Sequence, residues 1–183
     1  MNSCNFNLDI DRRASDSVKW NRNVIAAFGG NPEAIPFWVA DMDFPPPPEV
    51  TEALHQRLMH PVFGYSFGPE RFIETFRLWT EQRSGWSVPQ EDILFVPGML
   101  TGIAAALRVL TERGDGVILQ TPAYKPFFSI IEMNGRRIIR NPLLRDHGSQ
   151  RPRFIIDFTN LEKQMADPEN RLLLLCSPHN PAG

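Results

Sequence analysis

VILQTPAYKPFFSIIEMNGRRIIR, residues 117 to 140, changes its periodicity twice within one short stretch. Val117 to Gln120 is an unbroken run of strand length, closed by the turn-forming Thr121-Pro122. Pro126 to Met133 reads as a helix, and Arg137 to Arg140 as strand again. A strand, a helix and a second strand on so short a tether predict two parallel strands joined by a helical crossover. Working outward, Ile93 to Val96 reads as a short buried strand and Met99 to Leu110 as an apolar helix. Leu172 to Cys176 is apolar at every position, as expected of a parallel strand covered on both faces. Arg153 to Ile156 reads as a peripheral strand, and Thr159 or Asn160 as the cap of a helix through Met165. The predicted class is α/β, a mostly parallel sheet with flanking helices over residues 91–183.

Residues 1–90 read differently. The first 45 or so form an irregular arm containing Gly29-Gly30-Asn31-Pro32, and Pro45-Pro46-Pro47-Pro48 make a stiff connector. Pro48 suits the first turn of a helix, whose stripe is Val50, Ala53, Leu54, Arg57 and Leu58. A second helix is predicted from Glu70 to about Gln82, with Phe72, Ile73, Phe76 and Trp79 facing inward. Between them lies the aromatic and glycine loop Phe63 to Gly68. The expected boundary falls near Gln90.

With 183 residues, 42% of them hydrophobic and a net charge of -2, the composition is that of a folded domain and not of a disordered chain. Its basic residues are scattered, which argues against nucleic acid and acidic membrane surfaces as partners and for a small molecule. Cys4 and Cys176 build neither a disulfide framework nor a metal cluster, and Cys176 reads as a small core hydrophobe. No stretch approaches the roughly 20 apolar residues of a membrane span, so a soluble cytoplasmic protein is the default expectation. Asp41 and Asp43 read as loop charges or caps, not as a metal pair. His55, His60 and His147 read as surface residues and His179 as a loop spacer, so no metal ligand set is expected.

Ligands of open α/β sheets sit beyond the carboxyl ends of the strands, where three loops fall. Pro97-Gly98-Met99-Leu100-Thr101-Gly102 combines a glycine with a helix start, a pairing that suits phosphate and equally makes an ordinary turn. In Thr121-Pro122-Ala123-Tyr124-Lys125-Pro126 the tyrosine stands between prolines, and its ring can face a planar ligand or pack over the strand ends. In Ser177-Pro178-His179-Asn180-Pro181-Ala182-Gly183 the Asn180 amide can donate to a phenolate-like oxygen.

Together with Val39-Ala40-Asp41-Met42-Asp43-Phe44 and Phe63-Gly64-Tyr65-Ser66, the last two loops make the chain resemble the class I/II aminotransferase superfamily. Within it the similarity is to the cystathionine β-lyase-like carbon–sulfur lyases. The resemblance implies the pyridoxal-phosphate-dependent transferase fold type I and pyridoxal 5′-phosphate as cofactor. It implies that Tyr124 stacks on the pyridine ring, that Asn180 donates to the cofactor's 3′ oxygen, and that the backbone at Met99 and Leu100 cradles the phosphate. Tyr65 would reach the phosphate of a neighbouring subunit's cofactor, in a homodimer, and Ala40 would line the pocket for an amino-acid substrate's α-carboxylate. The implied reaction removes the substrate's α-proton, expels the β-thiolate and ends in pyruvate and ammonia; a same-fold aminotransferase is the alternative.

That chemistry needs a lysine as both imine partner and base. The lysines here are Lys19, Lys125 and Lys163, none in the Ser-rich context of the family, and Lys125 reads as a solvated charge. No catalytic residue is therefore assigned within the chain. The expectation is the front portion of a longer enzyme, inactive alone, or a non-catalytic remnant.

Overall fold

The computed structural model describes residues 5–65, 70–146, 148 and 153–183. Cys4, Ser66 to Gly68 and His147 lie outside the described residues. The chain divides into two compact units, Met1–Phe67 and Gly68–Gly183.

The first unit contains α1 (Arg22–Ala27) and α2 (Pro48–Leu58). Helix α1 falls inside the segment expected to be an irregular arm. Its start is set by Asn21, whose side chain accepts from the amides of Asn23 at 3.0 Å and Val24 at 3.2 Å. Six residues without a buried member give no apolar period to read. Helix α2 begins at Pro48 as expected, the missing N–H costing nothing in the first turn.

The second unit carries α3 (Glu70–Ser84), a 3-10 turn (Gln90–Asp92), α4 (Met99–Leu110), β1 (Gly116–Thr121), α5 (Lys125–Met133), β2 (Arg137–Pro142), β3 (Leu144–Asp146), β4 (Arg153–Ile155), α6 (Phe158–Met165) and β5 (Asn170–Leu174). Strands β2, β1 and β5 form a parallel sheet in that spatial order, with Val117 opposite Ile138 on one side and Leu172 on the other. The central strand β1 is buried from Gly116 to Gln120. One face of it packs against α4 and α5 through a cluster of Leu107, Val117, Leu119, Phe127 and Ile131. Each such side chain contributes about 1.5–3 kcal/mol on burial, so these residues carry much of the unit's cohesion.

Local signals end the helices where the sheet needs them to end. Helix α5 closes on Asn134 and Gly135, with the Gly135 amide on Glu132 O and the Arg136 amide on Ile131 O. That double bond pattern needs a left-handed residue, and Gly135 has φ +75°. Arg136 then reaches back to the end of α4, donating to Leu107 O and Thr111 Oγ1.

Four local expectations are corrected. Ile93 to Val96 is not a strand: it finds no ladder partner among the described residues, and Leu94 is 86% exposed. Helix α3 buries Ile73 and Thr80, while Phe72 and Trp79 stay exposed. The cap of α6 is Asp157, which accepts from the Asn160 amide at 2.9 Å; neither Thr159 nor Asn160 serves. Strand β5 ends at Leu174, and Leu172 to Leu174 are partly buried instead of enclosed, since among the described residues β5 pairs only with β1. The peripheral strand expected at residues 153–156 is β4, in an antiparallel pair with β3 outside the main sheet.

Candidate cofactor site

The topology picks out one end of the sheet. From β1 the chain crosses to β2 on one side, then returns through β3, β4 and α6 to place β5 on the other side. The direction of winding therefore reverses at β1, and the crevice beyond the carboxyl ends of β1 and β5 is where such sheets bind ligands. The loop after β1 carries Tyr124; the loop after β5 carries Asn180. Leu100 in the first turn of α4, Ala123 beside Tyr124, and Cys176 ahead of Ser177 all pack against the same buried cluster. Met99, Leu100, Tyr124 and Asn180 are thus brought to one end of one unit.

Their surroundings differ. Gly98 precedes α4 with φ +97°, and a side chain added there would meet nothing within 4 Å. Among the described residues no side chain caps the helix, which leaves the amides of its first turn at the positive end of the dipole without a capping acceptor. Tyr124 stands immediately before α5 with its ring edge-on to Phe127 at 5.4 Å, and it is 38% exposed. The ring is held by this contact while part of it stays exposed to solvent. Asn180 is exposed in a loop closed by the Gly183 amide on His179 O at 2.7 Å. His179 is more than a spacer, because its Nδ1 accepts from the Ala182 amide at 3.3 Å.

Sequence reading passed over Gln120. It is 1% exposed at the end of β1, and neither its amide nitrogen nor its oxygen has a partner among the described residues. It lines a hollow of about 460 Å³ together with Leu143, Phe154, Leu175, Cys176 and His179. A glutamine directly after the apolar run Val117 to Leu119 was the available signal.

Ala40 and Tyr65 belong to the other unit, both exposed, Tyr65 completely. The segment around Ala40 is tied down by charge. Asp43 accepts from Arg12 Nη1 at 2.6 Å, Lys19 Nζ at 2.6 Å and Trp20 Nε1 at 2.7 Å. Lys19 first, then Trp20 and, behind them, Arg12 hold the Asp43 carboxyl well below the usual carboxylate range. Asp41 and Asp43, read as loop charges or caps, lie outside helix and strand, and both are ion-paired to Arg12. Among the described residues there is no cluster of three metal-ligating side chains, and no helix is long and apolar enough to cross a membrane.

The model of the family described as aminotransferase class I and II matches residues 32–183. The chain belongs to that family. Cystathionine beta-lyase PatB of Bacillus subtilis is 42% identical to it over 98% of this chain and 45% of that protein. The crystal structure of cystalysin from Treponema denticola, which contains a pyridoxal 5′-phosphate cofactor, superposes with a TM-score of 0.85 at 37% identity, covering 99% of this chain and 45% of that one. The PLP-bound C-S lyase from Staphylococcus hominis gives 0.85 at 31% identity, over 99% and 44%. This aminotransferase-family chain thus has the expected fold type I architecture, and it spans about half the length of the curated relatives it matches. The family is pyridoxal-phosphate-dependent. The residues at the sheet's carboxyl end fit that group: uncapped helix amides suit a phosphate, a partly exposed tyrosine ring suits a planar ring, and an exposed carboxamide suits a ring oxygen.

Proposed function

We propose that this chain is the cofactor-gripping part of a pyridoxal-phosphate-dependent carbon–sulfur β-lyase, acting on cystathionine or a related cysteine conjugate. The observation that carries the reading is the convergence of the Tyr124 loop, the Asn180 loop and the uncapped α4 start at the sheet's switch point. The lyase branch is favoured by the 42% identity to a cystathionine beta-lyase. In this reading residues 1–90 belong to an arm and a smaller domain, and 91–183 to the large cofactor domain.

The first-turn amides at Met99 and Leu100 bind the phosphate, and Tyr124 holds the ring flat. Asn180 donates a hydrogen bond to the ring's 3′ oxygen, and Ala40 faces the substrate's α-carboxylate. Tyr65 reaches the phosphate bound by a second copy, which makes the assembly a homodimer. Bound pyridoxal phosphate supplies the electron sink for charge left at the substrate's α-carbon. Lys19 is committed to Asp43, and Lys125 and Lys163 are exposed, so none of the three serves as base. The chain alone is inactive.

The test is cofactor binding by the chain, followed through the absorbance and fluorescence of added pyridoxal phosphate. Tyr124→Ala and Asn180→Ala are each expected to weaken binding about tenfold. Affinity that neither substitution changes would refute the assignment. In an assembly that restores activity, pyruvate release from cystathionine without an added keto acid supports the lyase. Dependence on a keto acid supports the aminotransferase.

A further inference from the structure

Two stretches of the first unit, residues 12–20 and 38–43, are far apart in sequence yet joined at every turn of their contact. Trp38 Nε1 donates to Lys19 O at 3.2 Å. Lys19 Nζ donates to Asp41 O at 2.9 Å, and Arg12 Nη1 to Met42 O at 3.2 Å. Arg12 Nη2 adds a bond to Asp41 Oδ2 at 2.6 Å and one to Ser17 Oγ at 3.1 Å. Asp43 collects Arg12, Lys19 and Trp20 on one carboxylate. Lys19 is 7% exposed, and an ammonium so enclosed needs its two acceptors, Asp41 O and Asp43 Oδ2, to replace the water it has lost.

We infer that Asp43 is the lock of a clasp in which Arg12, Lys19 and Trp20 act as positioning residues for the strap 38–43, fixing its backbone on both sides of Ala40. The bonds fall on Trp38 before Ala40 and on Asp41, Met42 and Asp43 after it, so the segment carrying Ala40 is held from two directions. Among the described residues of this unit only Lys19 and Pro36 are buried, so no apolar core does this holding instead. Asp43 is the lock because its carboxylate accepts from all three positioning side chains; Asp41 accepts from Arg12 at its carboxylate and from Lys19 at its backbone carbonyl. A second consequence concerns Lys19 itself. Its nitrogen is occupied twice over, which withholds it from carbonyl and acyl reagents alike. The bearing on substrate rests on the reading of Ala40 given above, whereas the clasp does not.

Lysine acetylation of the whole chain, followed residue by residue by mass spectrometry, tests it without cofactor. The probe is an N-hydroxysuccinimide ester of acetic acid. Lys19 is expected to react slowest of the three lysines, and Asp43→Asn to speed it about tenfold towards the rate of Lys163. Lys125 and Lys163, in the other unit, should keep their rates and report that its fold is intact. Asp41→Asn leaves both acceptors of Lys19 in place and should speed it less. A Lys19 as reactive as Lys163 in the unaltered chain overturns the clasp, and so does an Asp43→Asn that leaves Lys19 slow. Equal acceleration by both substitutions overturns Asp43 as the lock. Loss of cofactor binding with Lys19 still protected would count against the proposed function alone.

Discussion

The two units are held together by opposite means. In Gly68–Gly183 a dry cluster of Leu107, Val117, Leu119, Phe127 and Ile131 joins a sheet to two helices. In Met1–Phe67 the described aromatics Phe28, Phe37 and Phe63 are exposed, and the cohesion lies in a handful of bonds converging on one carboxylate. Burial is non-directional and spreads its stabilisation over many atoms, so it tolerates small displacements. A charge-assisted cluster is directional, and the loss of one group strands the others. Phe127→Ala tests the first half of this contrast, because the ring is nearly enclosed and also packs against Tyr124. It is expected to cost about 3–5 kcal/mol in urea unfolding of the second unit. The hydrogen-bonded indole N–H of Trp20, followed by NMR, should not move. A cost below about 1 kcal/mol would show that the cluster is not the core.

The same contrast explains what the sequence disclosed. Strands β1 and β2 and helices α4 and α5 were legible because their apolar residues repeat at the period of the element. Ile93 to Val96 has the same composition and failed, because a strand exists only where a neighbour accepts its ladder, and composition says nothing of neighbours. Helix α1 was missed since its signal is a cap on a short exposed turn. The Tyr124 and Asn180 loops were legible as candidates because a site follows from strand direction, which the alternation of elements already implies. Gln120 was not, although a glutamine inside VILQ is anomalous, because its unpaired state shows only when its surroundings are built. The clasp was least legible of all. Arg12 and Asp43 are 31 positions apart, Lys19 and Asp43 are 24 apart, and no period links them.

Helix caps offer a gentler comparison, since both units use one. Asp157 caps α6, whose Leu161 is buried, so loosening the cap loosens a piece of the cooperative fold. Asp157→Ala is expected to lower the stability of the second unit by about 1 kcal/mol. Asn21 makes the corresponding bonds for α1, which buries nothing. Asn21→Ala should leave the cooperative unfolding transition where it is and speed hydrogen exchange only at Asn23 and Val24. A global shift from Asn21→Ala as large as that from Asp157→Ala would mean that α1 is part of a core after all.

Acid tests the polar unit through the titration of one carboxylate. Asp43 is depressed in the folded chain, chiefly by Lys19 and then by Trp20. A carboxylate depressed on folding stabilises the fold fully above its unfolded value, about 3.9 for aspartate. Below that value the contribution shrinks, because the unfolded chain takes up the proton first, and it is gone once the pH has passed the folded value. The clasp should therefore be indifferent to pH from neutrality down to about 5 and begin to weaken only below about 4. The Trp20 indole N–H resonance is the direct reporter, since that group donates to Asp43 itself. It should hold its position across the upper range and shift only in strong acid, whereas the Asp43→Asn chain should show no such protection at any pH. A Trp20 shift with a midpoint near the ordinary aspartate value would mean that Asp43 titrates as a free surface carboxylate. The clasp would then hold no locked carboxylate, and the polar half of the contrast would fall.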